Sequence, residues 1–218
     1  MKFRFAILLT ALAILLSACS LSLADDITPP PDYKTPTPAP TVGPIFPANS
    51  PDLASGAVIY AEKCAPCHGA TGLADGPMVA QLPKPAPAFG KPEVARAGIP
   101  ANWFTAVTQG KIDALMPPFN SLSEQQRWDV VAYAMSLGTS AAEIEQGKAV
   151  YETSCARCHG ADGKLAAKAN LADQGIMAKL NQNDLVNFIN QGVGEMPGLG
   201  GQLDETQMFA AAAYVRAF

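Results

Sequence analysis

The sequence predicts an all-α protein made of two tandem copies of one small unit, behind an export leader and a proline-rich linker. Three observations carry that prediction. First, Gly56-Ala-Val-Ile-Tyr60-Ala-Glu-Lys-Cys64 aligns with Gly147-Lys-Ala-Val-Tyr151-Glu-Thr-Ser-Cys155, sharing glycine, tyrosine and cysteine at matching positions. Second, Leu122 to Tyr133 aligns with Leu203 to Tyr214, with Trp128 opposite Phe209. Third, Trp103 to Gly110 resembles Asp184 to Gly192, each stretch ending in Gln-Gly.

In chain order, residues 1–18 read as a signal peptide. Lys2 and Arg4 form a positive start, and Phe5 to Leu16 an apolar run too short to span a bilayer comfortably. Leu16-Ser17-Ala18-Cys19 resembles the lipobox of bacterial lipoproteins, which makes Cys19 the candidate lipidated residue. Two acyl chains on one cysteine hold a protein to a bilayer where one does not. Residues 19–49 then form a tether containing Pro29, Pro30, Pro31, Pro36, Pro38, Pro40, Pro44 and Pro47. Such a stretch favours extended polyproline conformations, and residues 20–49 reach roughly 90 Å at about 3.1 Å per residue. The first unit is placed at 50–138 and the second at 139–218.

Ser50-Pro51-Asp52 offers a cap with proline at the first helical position, Ser123 and Gln126 a capping box, and Asp204 a further cap. Trp128, Val131, Ala132 and Met135 share one helical face. Gly56 and Gly147 leave room for a close helix crossing, where Trp128 and Phe209 are expected in the contact. Each unit then reads helix, cysteine motif, irregular loop, helix, Met-Pro loop, last helix.

The chemistry lies in Cys64-Ala-Pro-Cys67-His68-Gly69 and Cys155-Ala-Arg-Cys158-His159-Gly160. Cys-x-x-Cys-His is the signature of covalent c-type haem attachment. Two thiols three positions apart each form a thioether to one vinyl group of the same porphyrin, and the adjacent imidazole becomes the proximal iron ligand. A zinc ribbon separates its cysteine pairs by about 15–20 residues, whereas Cys67 and Cys155 stand 88 positions apart. A thioredoxin-like site expects one motif beside a βαβ pattern, and a disulfide scaffold a shorter, cysteine-denser chain. His68 and His159 are the only histidines, so neither haem finds a second imidazole. Methionine is the remaining soft ligand. Met116 and Met196 stand in matching Met-Pro loops before the last helix, whereas Met78, Met135, Met177 and Met208 read as core filling.

With these residues in place, both units resemble the small soluble c-type cytochromes that carry an N-terminal Cys-x-x-Cys-His and a methionine ligand near the C-terminal helix. The resemblance covers about residues 50–218. It implies two tandem cytochrome c-like domains and two covalently bound haem c groups. Cys64, Cys67, His68 and Met116 would hold the first, and Cys155, Cys158, His159 and Met196 the second. In that family a proline carbonyl commonly accepts from the proximal imidazole. Pro83, Pro85 and Pro87 offer this in the first unit, whereas Ala169-Asn170-Leu171 offers none in the second. The His-to-Met spacing also differs, 48 positions against 37. The extra segment around Pro83 to Pro100 reads as a surface insertion, a cover for one haem edge, or a docking surface.

Without the leader, 13 basic residues stand against 19 acidic, a net charge of −6. That balance argues against a nucleic-acid partner and suits docking onto basic redox proteins. The expected function is electron transfer at the outer face of the cytoplasmic membrane or in the periplasm. The expected partners are a quinol-oxidising complex, a terminal oxidase or another high-potential acceptor, with membrane attachment through the lipid anchor and no small-molecule substrate. A haem-bearing subunit of a larger dehydrogenase or oxidase is the first alternative. A dihaem peroxidase or gas sensor is the second, and it requires an open iron position.

Overall fold

The computed structural model describes residues 45–166 and 169–218. The leader, Cys19 and the tether up to residue 44 lie outside the described residues. Among the described residues no helix is long and apolar enough to cross a membrane. Among the described residues the regular structure is helical apart from one pair of two-residue strands.

The first unit opens with α1 (Leu53–Lys63), which runs into the short α2 (Ala65–His68). Asp52 rather than Ser50 caps α1, because its Oδ1 accepts from the amides of Ala54 at 2.8 Å and Ser55 at 3.3 Å. Then follow α3 (Pro92–Ala97), α4 (Pro100–Gln109) and α5 (Glu124–Ser136). Ser123 and Gln126 form the expected capping box on α5. The second unit repeats the order with α6 (Ala141–Ser154), α7 (Ala156–His159), α8 (Gln174–Met177) and α9 (Gln182–Gln191). The pair β1 (Gly192–Val193) and β2 (Met196–Pro197) leads to α10 (Glu205–Val215), capped by Asp204.

First and last helices of each unit cross at their glycines. A Cβ on Gly56 would stand 2.2 Å from the Asp129 carbonyl oxygen and 2.8 Å from Tyr133 Cβ. On Gly147 it would stand 1.9 Å from the Ala210 carbonyl oxygen and 3.0 Å from Tyr214 Cβ. The expected partners Trp128 and Phe209 are each one position away from this contact. Asp129 occupies the first crossing and is buried, its carboxylate accepting from the Asp52 amide and the Ser55 hydroxyl, both at 2.9 Å.

The face of α5 that carries Trp128, Val131 and Met135 therefore serves a different purpose. Val130 and Ala134 pack into the first unit's own core, while Trp128 and Val131 join Phe104 and Ala178 of the second unit. Trp128 stacks on Phe104 with ring centroids 4.2 Å apart. The seam between the units also holds a backbone bond from the Ala101 amide to the Ala178 carbonyl at 2.9 Å. Ile45 and Phe46 pack against the same cluster, and Pro47 is buried.

Candidate functional site

Each cysteine motif begins where a helix ends. Cys64 closes α1 at φ −112°, ψ −42°, and Cys155 closes α6 at φ −117°, ψ −39°. A single helical turn then carries Cys67 and His68, or Cys158 and His159. The turn is braced from behind. The Tyr60 hydroxyl donates to the Gly69 carbonyl at 2.8 Å, and the Tyr151 hydroxyl to the Gly160 carbonyl at 2.6 Å. Both tyrosines are 1% exposed, so neither hydroxyl has water as a substitute partner. Six residues beyond each histidine, the amides of Ala74 and Leu165 return to the histidine carbonyls at 2.8 and 2.9 Å.

The methionines are delivered by a second repeated device. α4 ends at Gly110 and α9 at Gly192, with φ of +72° and +80°. Side chains rarely adopt such angles, and a Cβ there would also stand 2.7 Å (Gly110) or 2.5 Å (Gly192) from the methionine carbonyl oxygen. The chain then doubles back. Lys111 and Met116 exchange backbone bonds of 2.8 and 3.0 Å, and Val193 pairs with Met196 in β1–β2. Three residues on, the Phe119 and Leu199 amides bind the carbonyls of Val107 and Ile189 at 3.0 and 2.8 Å. The first hairpin is longer because a 3-10 turn at Ile112–Ala114 sits inside it.

In the first unit these devices face one cavity of about 620 Å³. Cys64, Cys67 and His68 line it together with Met116, and its walls are largely apolar side chains such as Phe89, Val107 and Val130. In the second unit Cys155 and Met196 pack against a single core that contains Val150, Tyr151, Leu185 and Ile189. His159 is 8% exposed. Met78 departs from the core reading, being 43% exposed, while Met177 and Met208 are buried as expected and Met135 is half-buried at the seam.

The donor set fits a haem in each unit. Cys64, Cys67, Cys155 and Cys158 are all free thiols. Burial pushes the Cys64 thiol up to about 11, the neighbouring Cys67 adding to the shift and Lys63 opposing it, so it stays protonated at neutral pH. A protonated thiol is a poor ligand for a metal ion. Among the described residues no three His, Cys, Asp or Glu side chains gather as a metal site. The Nδ1 atoms of both histidines are buried without a hydrogen-bond partner. Burial lowers the His68 pKa, and the Pro87 carbonyl beside the ring acts in the opposite sense. Pro87 is thus the member of the Pro83-to-Pro87 run that faces the imidazole.

The extra segment of the first unit does two things that its sequence left open. Leu82, Lys84, Pro85, Ala86 and Pro87 line the cavity, and Lys84 pairs with Asp113 on the methionine hairpin. Beyond them, α3 reaches the second unit. Sequence reasoning missed that role, since nothing local in Pro92-Glu-Val-Ala-Arg96 distinguishes an interface helix from a surface one.

Comparison with known proteins agrees with this geometry. The profile of the family described as cytochrome c oxidase, cbb3-type, subunit III matches twice, over residues 51–133 and 142–215. The cbb3-type cytochrome c oxidase subunit FixP of Sinorhizobium medicae is 36% identical over 130 residues, 56% of this chain and 44% of that protein. Subunit CcoP of Azospirillum brasilense is 29% identical over 187 residues, 75% of this chain and 61% of its own length. The chain therefore spans about half the length of these two relatives. Cytochrome c6 of Synechocystis is 36% identical over 87 residues, 37% of this chain and 71% of that protein. With both units matched in tandem by one profile, the chain belongs to the cbb3-type cytochrome c oxidase subunit III family.

Proposed function

We propose that this chain is a dihaem c-type cytochrome that passes electrons between redox proteins outside the cytoplasm. Cys64 and Cys67 would hold one haem c through thioether bonds, with His68 and Met116 supplying its iron ligands. Cys155, Cys158, His159 and Met196 would do the same for the second. The observation that carries this reading is the convergence of two thiols, an imidazole and a thioether on one apolar cavity of about 620 Å³. Bound haem supplies a one-electron ferric/ferrous couple, and an imidazole–thioether pair raises its potential relative to other ligand sets.

The protein's own work is to hold and to exclude. The tyrosine braces fix each cysteine turn, the glycine-led hairpins present each methionine, and the apolar walls keep water from the metal. The Pro87 carbonyl lies beside the His68 ring, where an outer contact of this kind would tune ligand basicity. The second unit has no proline at the matching place, so the two sites have unequal potentials. With both axial positions filled the chain conducts rather than catalyses. A peroxidase or gas sensor would need one position open.

The domains run 50–138 and 139–218, behind a signal peptide at 1–18 and a lipidated Cys19 that tethers them to the outer face of the membrane. The electron acceptor is a terminal oxidase, and a permanent subunit of such an oxidase is the second reading, favoured by the family match. Co-purification with oxidase subunits after mild detergent extraction separates subunit from shuttle. Cys19→Ser is expected to release the cytochrome into the soluble fraction.

The deciding experiment is a redox titration of wild-type protein beside Met116→Leu and Met196→Leu. Each substitution is expected to lower one midpoint potential and open one haem to carbon monoxide. Unaltered potentials and spectra in both variants refute the axial assignment. Rapid carbon monoxide binding by the wild type refutes the closed-site reading.

A further inference from the structure

Helix α3 belongs to the segment that lengthens the first unit, and it has two faces. Glu93, Val94 and Ala97 line the first unit's cavity, while Ala95 is buried at 5% exposure. Arg96 leaves the unit altogether. Its Nη2 donates to Glu143 Oε1 at 2.9 Å, with the two side chains 26% and 16% exposed. Its guanidinium lies over the Phe209 ring, 4.1 Å from the centroid. Glu143 belongs to α6 and Phe209 to α10, the first and last helices of the second unit.

The same contact reaches the helix that delivers Met196. α3 packs directly against α9, whose C-terminal Gly192 opens the methionine hairpin. In the first turn of α9, the Gln182 Nε2 donates to the Phe209 carbonyl at 3.0 Å. Phe209 is therefore held by Arg96 at its ring and by α9 at its backbone. It packs, with Met196 and Cys155, against one apolar core. Arginine suits this place because a planar guanidinium stacks on a ring while its edge pairs with a carboxylate, which an ammonium does not do.

We infer that Arg96 is a positioning residue for the second haem pocket, supplied by the first unit. It holds α10 and α6 against α9, and so holds the hairpin that presents Met196. The inference rests on the reading that the second haem sits between His159 and Met196. The extra segment is then an adaptor between units rather than a tolerated insertion.

The test uses the full chain carrying both haems, with Arg96→Gln, Arg96→Lys and, as a control on the same segment, the exposed Lys91→Gln. Met116→Leu and Met196→Leu assign each spectral band to its site. Arg96→Gln is expected to raise the carbon monoxide-accessible fraction of the second haem about tenfold and to lower its midpoint potential. The first haem stays unchanged, Arg96→Lys recovers part of the effect, and Lys91→Gln does nothing. Phe209→Leu keeps an apolar side chain but removes the aromatic face, and it moves the second site the same way even if Arg96→Gln fails to fold. Equal shifts at both haems, or none at the second, overturn the inference. Fewer than two haems per wild-type chain, or a second iron already open, overturns instead the reading on which it rests.

Discussion

Tyr60 and Tyr151 show how much one hydroxyl can decide. Each phenol reaches nine residues along the chain to the carbonyl that follows the motif histidine, and it shares that acceptor with a longer backbone bond, 3.1 Å from the Gly72 amide in the first unit and 3.4 Å from the Gly163 amide in the second. Tyr60→Phe removes the shorter of the two bonds to the buried Gly69 carbonyl, which is expected to destabilise the first unit by about 1 kcal/mol in urea unfolding. The second unit's transition should move less. Burial pushes the Tyr151 hydroxyl up from the ordinary 10 to about 12. The neutral phenol is thus favoured in the folded state. Its contribution is whole below pH 10 and is lost as pH rises through about 12. Stability of the wild type should fall more steeply over that window than that of Tyr151→Phe, and equal slopes would remove the brace from the account. The alignment paired these tyrosines across the two units. It gave no hint of the acceptor, because the carbonyl meets the ring only after the chain has turned through the motif.

The same difference between what repeats and what it touches separates the elements. The capping box on α5 and the Asp204 cap on α10 were readable, since a cap is a local bond between residues three apart. The crossings at Gly56 and Gly147 were readable as close approaches, but their partners were not. Periodicity says which residues share a face and is silent on what the face meets. Trp128 and Val131 share theirs with a neighbouring unit, 50 and 47 positions from Ala178 in sequence. The crossings make a plain prediction. Gly147→Ala sets a methyl 1.9 Å from the Ala210 carbonyl oxygen, and forced separation of packed helices costs about 1–3 kcal/mol. Thermal unfolding should show the second unit melting several degrees earlier. Gly110→Ala acts elsewhere. Its φ of +72° strains a side-chain-bearing residue, and the added Cβ presses on the Met116 and Pro118 backbone. The expected outcome is weakened Met116 ligation, read as a diminished methionine-to-iron charge-transfer band from the first haem alone.

At the scale of the whole molecule, the seam decides whether two haem units behave as two bodies or one. Ion pairing and ring stacking by Arg96 hold one part of it. A second part is apolar, with Phe104 and Trp128 from the first unit, Ala178 from the second, and Ile45 and Phe46 from the chain ahead of α1. That last contribution was hidden in a stretch whose prolines mark it as linker, and it places residues 45 and 46 on the seam. Phe46 also stands 3.7 Å from where a Cβ on Gly175 would lie, so its ring meets both units. A ring that bridges two bodies couples their unfolding, because neither can open without exposing it. Phe46→Ala removes a half-buried aromatic, and about 1–2 kcal/mol of seam stability should go with it, less than the 3–5 kcal/mol of a fully buried ring. In a denaturant titration followed at each haem's own band, both transitions should then shift to lower denaturant and draw apart. A core substitution within one unit should move one transition more than the other. If Phe46→Ala leaves both midpoints in place, the segment merely rests on the surface, and the units are held together by Arg96 and the Ala101–Ala178 bond without it.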